Sequence, residues 1–287
     1  MKAVGYKRAL PVDDPESLLD VNLPEPVPGP HDLLVDIKAV SVNPVDTKVR
    51  RSTNPPAGEI KVLGWDAAGI VRGVGRQVTL FRPGDNVWYA GSIARTGTNA
   101  ERHVVDERIV GKMPASLTFA QAAAMPLTAL TAWELLFDRL QVLQNPSSVG
   151  DQLLVIGASG GVGSVLIQLA RKLTNLTIIG TADPQNEKRV RDRGSHHVIG
   201  YNGLSDQLQQ VGIPAVAYVA SLTHTDEHLK EISDVVLPQG RLAIIDDPVG
   251  LDTMILKPKS VSVHWEFMFT RSLFQTPDMI EQHNILN

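Results

Sequence analysis

Leu153-Leu154-Val155-Ile156-Gly157-Ala158-Ser159-Gly160-Gly161-Val162-Gly163-Ser164 decides the reading of this chain: an apolar strand runs into glycines and then into a helix. Phosphates are held by bare backbone N–H groups at a helix N-terminus, where the positive end of the helix dipole favours an anion. In that setting Gly160 and Gly161 are expected to make the tight turn and admit a pyrophosphate, while Gly163 lets the helix lie close against the strand. Working outward, Val162, Val165, Leu166, Leu169, Ala170 and Leu173 fall on one helical face, and a second apolar strand, Thr177-Ile178-Ile179-Gly180-Thr181-Ala182, follows. A glycine cluster alone suits a mobile loop. Strand, glycines, amphipathic helix and strand within about thirty residues form the unit that dinucleotide binding requires.

Composition narrows the function classes. At 287 residues the chain is long enough for two domains with substantial cores, and its apolar and charged fractions are those of an ordinary globular protein. A formal charge of -4, with Lys and Arg scattered, points away from nucleic acid and toward a small-molecule substrate. There is no cysteine, which excludes disulfides and thiolate metal ligands and suits a cytoplasmic enzyme. The N-terminus has no apolar signal core. The most apolar segment, Ala122 to Phe137, is interrupted by Pro126 and carries Glu134, so neither export nor a membrane span is expected.

Up to about residue 115 the sequence reads as short strands and turns. Leu33 to Val40 has strand character, whereas Pro24, Pro26, Pro28, Pro30, Pro55, Pro56 and Pro83 mark loops. Thr118-Phe119-Ala120-Gln121 has the pattern of a capping box opening a helix, with a second helix after Pro126, near Thr128 to Leu140. From Leu153 onward strands alternate with helical segments: after the first two come His196 to Gly200, Val216 to Ser221, Arg241 to Asp246 and Ser260 to Trp265. Such alternation predicts an α/β fold with a doubly wound parallel sheet.

Gly64-Trp65-Asp66-Ala67-Ala68-Gly69, Pro83-Gly84-Asp85-Asn86-Val87 and Ala158-Ser159-Gly160-Gly161-Val162-Gly163, in that order, resemble the medium-chain dehydrogenase/reductase superfamily. Ser41-Val42-Asn43-Pro44-Val45-Asp46, Leu127-Thr128-Ala129-Leu130-Thr131-Ala132-Trp133 and His264-Trp265-Glu266-Phe267-Met268-Phe269-Thr270-Arg271 look like its zinc-type alcohol dehydrogenase-like, quinone oxidoreductase branch. The resemblance implies a GroES-like β-rich catalytic domain over residues 1–117 and 268–287 and a Rossmann domain over 118–267, with a C-terminal return shorter than the family pattern. It also implies a homodimer. In zinc-dependent relatives a cysteine stands where this chain has Asn43 and a histidine where it has Trp65, so no zinc and no metal ligand is expected here.

The resemblance further implies a cofactor and a reaction. Ala158 replaces the first fingerprint glycine, as in quinone oxidoreductases. Ala182 falls at the end of the second strand, where NAD-selective folds carry an acid. A small residue leaves room for a 2′-phosphate and favours NADPH over NADH, although Asp183 follows directly. Ala158, Ser159, Gly160, Gly161, Val162, Gly163, Thr181, Ala182, Lys188, Tyr201, Ser221 and Leu222 are the expected cofactor-binding residues, with Arg189 a further candidate for the phosphate. Asn43, Lys48 and Thr131 are the candidate catalytic residues. Asn43 is equally suited to an Asx turn before Pro44, Lys48 to a solvated helix position, and Thr131 to a bond with its own backbone. Trp65, Tyr89 and Trp265 are read as pocket aromatics or plain core, and Arg271 as a substrate contact or a local ion pair. The expected activity is zinc-independent transfer of hydride from NADPH to a quinone or an α,β-unsaturated carbonyl. The alternatives are an alcohol dehydrogenase with an atypical zinc ligand set and a non-catalytic NADP-binding protein.

Overall fold

The computed structural model describes residues 1–144 and 151–287, which divide into two compact units: Met1–Leu130 with Met268–Asn287, and Thr131–Phe267. In the first unit, strands β1 (Lys2–Tyr6), β2 (Leu19–Asn22), β3 (Asp32–Ser41), β4 (Lys61–Val62), β5 (Asp66–Val74), β6 (Asn86–Tyr89), β7 (Arg102–Asp106) and β8 (Val110–Lys112) form two antiparallel sheets. Their orders are β2-β1-β4 and β7-β3-β5-β6-β8. Leu33, Val35, Val71, Val87 and Ile109 fill one core of this unit, and Tyr6, Trp65 and Leu130 lie in another.

Helix α1 (Pro44–Ser52) follows β3 directly, with Pro44 in its first turn, where a missing N–H costs nothing. Helix α2 (Phe119–Ala123) opens on the expected capping box: the Gln121 N–H donates to Thr118 Oγ1 at 3.3 Å, and the Thr118 N–H to Gln121 Oε1 at 3.0 Å. Helix α3 (Pro126–Trp133) begins at Pro126 and continues as a π-helical turn over Glu134–Arg139, in which the Leu140 N–H reaches back to Leu135 O. The single helix expected near Thr128 to Leu140 therefore changes type at Glu134. Residues 118–130, expected with the dinucleotide domain, count with the first unit, because Ala122, Ala123 and Leu130 are buried in the same core as Tyr6 and Trp65.

In the second unit the parallel strands β9 (Gln152–Ile156), β10 (Thr177–Thr181), β11 (His197–Ile199), β12 (Val216–Ser221), β13 (Val236–Ile244) and β14 (Ser262–Trp265) stand in the order β11-β10-β9-β12-β13-β14. Counted within the unit this is 3-2-1-4-5-6, the doubly wound arrangement. Strand β9 is buried on both faces: Leu153 and Val155 face one core with Leu135, Leu166 and Ala170, while Leu154 and Ile156 face another with Leu208, Val219 and Ile232. Each such Leu or Ile, withdrawn from water, contributes on the order of 1.5–3 kcal/mol.

Helices α4 (Gly161–Leu173), α5 (Glu187–Asp192), α6 (Leu204–Gln210) and α7 (Thr225–Val235) make the crossovers. The inner face of α4 is centred on Gly163, Leu166, Ile167 and Ala170; Val162, Val165 and Leu169 flank it partly exposed. The periodic stripe is thus rotated toward Ile167. The chain then returns to the first unit through α8 (Thr270–Phe274) and α9 (Glu281–Leu286), where Met268, Phe269 and Leu286 join the core of Trp65 and Trp88 Nε1 donates to Leu286 O at 3.0 Å. Among the described residues no helix is long and apolar enough to cross a membrane.

Candidate functional site

The turn between β9 and α4 is built almost entirely from backbone. Gly157 has φ +84°, a left-handed conformation that side chains resist, so the sharp bend falls there and not at Gly160 or Gly161. The Gly157 N–H donates to Thr181 Oγ1 at 3.0 Å and the Ala158 N–H to Thr181 O at 3.2 Å, which ties the turn to the end of β10. Gly160 is the N-cap of α4, and the first bond of the helix runs from the Ser164 N–H to Gly160 O. The amides of Gly161, Val162 and Gly163 precede that bond and point out of the helix end, where an anion is favoured.

Gly163 performs its expected role. A Cβ there would lie 2.6 Å from Gly157 O and 2.8 Å from the Ala158 Cα, so any side chain would push the helix off the turn. At Gly160 the nearest atom to such a Cβ is Gly157 O at 3.4 Å, which is ordinary contact. The cradle is therefore set by Gly157 and Gly163.

Around this turn the other expected residues take definite places. Thr181 and Ala182 are buried at the end of β10, and Asp183 is exposed one residue beyond. Lys188, on the outside of α5, donates to Asp192 Oδ2 at 2.6 Å. Its neighbour Arg189 turns the other way, its Nη2 donating to Ser159 O at 2.6 Å. Of the two cations, Arg189 is the one placed against the glycine turn. Tyr201, after β11, stacks on His228 with ring centroids 6.0 Å apart.

After β12, Ser221 is fully buried and its hydroxyl is 2.7 Å from Thr225 Oγ1. Thr225 in turn donates from its N–H at 2.9 Å and its hydroxyl at 2.5 Å to Asp246. The Leu222 N–H donates to Ile156 O at 3.1 Å, which binds this loop to the base of the glycine turn.

The first unit holds a second polar cluster, made of side chains. Asn43 is the N-cap of α1, and its N–H donates to Asp46 Oδ2 at 2.8 Å, closing the helix start. Its side-chain amide donates to Asp66 Oδ2 at 2.8 Å. Asp66 Oδ1 accepts the Leu127 N–H at 2.8 Å, and Asp46 Oδ1 accepts the Gly64 N–H at 2.8 Å. Asp66 has no exposed surface. Burial pushes its carboxyl up to about 7, aided by the nearby Asp46 and opposed by the bonds from Asn43 and Leu127. Asp46 is raised as well, again chiefly by burial.

The sequence offers Asn43 as a pocket residue or as an Asx turn before Pro44; the structure makes it the N-cap of α1 and adds Asp46 and Asp66, which the sequence analysis does not single out. The signal was present: an acid three residues after an Asn-Pro helix start is the closing half of a capping box.

Lys48 lies exposed on α1, and Thr131 is buried in α3. Trp65 and Tyr89 are core. The Trp65 Nε1 donates to Ser92 O at 3.1 Å and the ring meets Phe269 edge-on, while the Tyr89 hydroxyl is 3.1 Å from His103 Nδ1. Trp265 is exposed, and Arg271 is buried with its Nε donating to Asp278 Oδ2 at 3.1 Å. The local ion pair expected for Arg271 is the one present.

These features agree with the comparisons to known proteins. Residues 29–131 match the alcohol dehydrogenase GroES-like domain. Over its whole length the chain is 39% identical to a zinc-type alcohol dehydrogenase-like protein of Staphylococcus epidermidis, covering 85% of that protein. The chain belongs to this family of medium-chain dehydrogenases/reductases.

Members of the family are oxidoreductases, and so is this one. A crystal structure of a candidate zinc-dependent alcohol dehydrogenase from Rhizobium etli shares 55% identity with this chain, with TM-score 0.95 over all of it and 84% of the other. The Escherichia coli quinone oxidoreductase complexed with NADPH superposes with TM-score 0.80 at 26% identity, over 98% of this chain and 85% of that one. Among the described residues no three His, Asp or Glu side chains converge in a way that could hold a metal ion.

Proposed function

We propose that this oxidoreductase binds NADPH at the β9–α4 turn and reduces a quinone or an α,β-unsaturated carbonyl without a resident zinc. The observation that carries the reading is the turn itself: outward-facing amides of Gly161, Val162 and Gly163 beside a Gly163 that tolerates no Cβ, with the small, buried Ala182 at the end of β10. The likeness to a quinone oxidoreductase that holds NADPH supports it.

The residues fit the cofactor in charge and shape. The amides of α4 would take the pyrophosphate. Ala182 leaves space beside the adenosine ribose, and Arg189, already turned toward Ser159 O, would place a cation near the 2′-phosphate. Lys188 faces Asp192 and serves less well. When bound, the nicotinamide supplies hydride chemistry. The protein's own contribution is to exclude water and offer a donor to the oxygen on which charge develops. Asn43 is the proposed donor: its amide has a second N–H beyond the one given to Asp66, and the side chain is buried. Thr131 and the Ser221-Leu222 loop are proposed to flank the nicotinamide.

Calorimetry with NADPH and NADH, followed by a quinone and enone panel monitored by NADPH absorbance, tests this reading. Tighter binding of NADPH and turnover with at least one acceptor are expected. Binding without turnover across the panel would leave a non-catalytic NADP-binding protein. The zinc alcohol dehydrogenase reading is favoured by the likeness to the Rhizobium etli protein and to the zinc-type alcohol dehydrogenase-like protein of Staphylococcus epidermidis. The donors present do not fit it, since Asn43 gives its amide to Asp66 and Trp65 its Nε1 to Ser92 O. Zinc retained by chelator-washed protein, with alcohol oxidation, would establish that reading instead.

A further inference from the structure

Asp66 occupies an unusual position between two helix starts. From the first residue of β5, one carboxyl oxygen accepts the side-chain amide of Asn43, the N-cap of α1, and the other accepts the N–H of Leu127 in the first turn of α3. That N–H has no acceptor within its own helix, so Asp66 caps α3 from a strand distant in sequence. Four residues along α3 stands Thr131. A single carboxyl thus holds the Asn43 amide and the first turn of the helix that carries Thr131.

The chemistry of the contact goes further. An ionised carboxylate only accepts, so it draws the Nδ2 end of Asn43 toward itself, the orientation in which Oδ1 faces the Asp46 N–H in the capping box of α1. A protonated Asp66 can instead donate to Oδ1, in competition with the Asp46 N–H, which turns the amide over and takes the NH2 group off Asp66. The backbone of Asn43 does not move in either case, because the Asp46 carboxylate holds its N–H.

We propose that Asp66 is a positioning residue that selects which end of the Asn43 amide faces the reacting oxygen while anchoring the start of α3. This rests on the reading of Asn43 as a site residue. The ionisable neighbour facing Asp66 is Asp46 on α1; from α3 it meets the Leu127 N–H, and across β3 its register partner is the uncharged Ser41. Burial pushes its carboxyl up to about 7, so that both of its protonation states are reached near neutral pH.

The test compares wild type with Asp66→Asn, which keeps the shape and a neutral acceptor, and uses Asp46→Asn as control. The side-chain amide resonance of Asn43, assigned by its loss in Asn43→Ser, is followed by NMR from mildly acidic to mildly alkaline pH. A titrating Asn43 resonance is expected in wild type and Asp46→Asn, and a pH-independent one in Asp66→Asn. In turnover, Asp66→Asn is expected to lower kcat about tenfold and to flatten its pH profile, with KM for NADPH changed less than about twofold.

The same Asn43 titration in Asp66→Asn as in wild type overturns the proposal, as does an unchanged kcat and pH profile. If the wild type turns over no acceptor, the functional reading fails, and the resonance still decides whether Asp66 orients the amide. Should Asp66→Asn fail to fold, Asp66→Glu, which retains the charge on a longer arm, is expected to keep a titrating resonance with a shifted midpoint; an Asn43 signal there insensitive to pH overturns the proposal equally.

Discussion

Each unit contains two buried carboxyl groups that neighbour one another, and the two pairs are handled in opposite ways. In the first unit, Asp46 and Asp66 face neutral donors: backbone N–H groups of Asn43, Gly64 and Leu127 and the Asn43 amide. In the second, Glu134 on the π-helical turn and Glu266 after β14 are neighbours that share one guanidinium. Arg139 Nε donates to Glu266 Oε2 at 2.8 Å, with its Nη2 3.9 Å from Glu134 Oε2. Burial and the neighbouring Glu134 raise the Glu266 carboxyl, and Arg139 opposes them.

The difference concerns what each pair holds. Dipoles fix direction, so the aspartate pair sets the orientation of an amide and two helix starts. A guanidinium fixes charge, so the glutamate pair is a clamp between a widened helical turn and the end of the sheet.

The largest effect is expected from breaking the clamp. Arg139→Ala leaves two buried carboxyls without a counter-charge, and removing one partner of a buried pair costs about 3 kcal/mol or more. Denaturant unfolding followed at several pH values checks this. The loss should grow as pH rises, because the variant's carboxyls are then forced to ionise in a low-dielectric site, and should nearly vanish in acid, where both are protonated in either protein. An equal loss at all pH values would show that Arg139 acts by packing alone.

The next effect separates the two strategies by pH. Asp66 has a folded carboxyl near 7 against an ordinary value near 3.8. Between those values the folded chain holds a proton that the unfolded chain has released, so stability contributed by Asp66 is full below about pH 4 and falls as pH rises toward 7. The slope is at most about 1.4 kcal/mol per pH unit. Asp66→Asn has no such proton and should lose less stability than wild type over that interval. Parallel stability curves for the two proteins would show that Asp66 is already ionised in mild acid.

How much of this was legible in the sequence follows from distance along the chain. The β9–α4 turn is local, and its strand, glycines and helix could be read from spacing; so could the parallel sheet, from alternating elements. Which glycine takes the left-handed conformation could not, since four of them lie between residues 157 and 163 and only the backbone path singles out Gly157. Asp66 is 23 residues from Asn43 and 61 from Leu127, so no local pattern joins them. The π-helical turn was hidden for another reason. Glu134-Leu135-Leu136-Phe137 has the composition of an ordinary helix, and the buried Glu134 tied to Glu266 and Arg139 lies where the helix widens.

The smallest effect sharpens the contrast through salt. Arg139 keeps about a third of its side-chain surface exposed, at 30%, so its field on Glu266 passes partly through solvent and is open to screening. The aspartate pair offers no exposed cation to screen: Asp66 is fully buried and its partners are neutral. In 1 M salt, where the Debye length is about 3 Å, the destabilisation caused by Arg139→Ala should therefore shrink by up to about 1 kcal/mol, while that caused by Asp66→Asn should stay the same within error. The same denaturation curves, repeated at low and high salt, measure both differences. An equal salt response in the two variants would mean that long-range charge acts on both pairs, and that neutral donors and a guanidinium are not separate ways of keeping an acid buried.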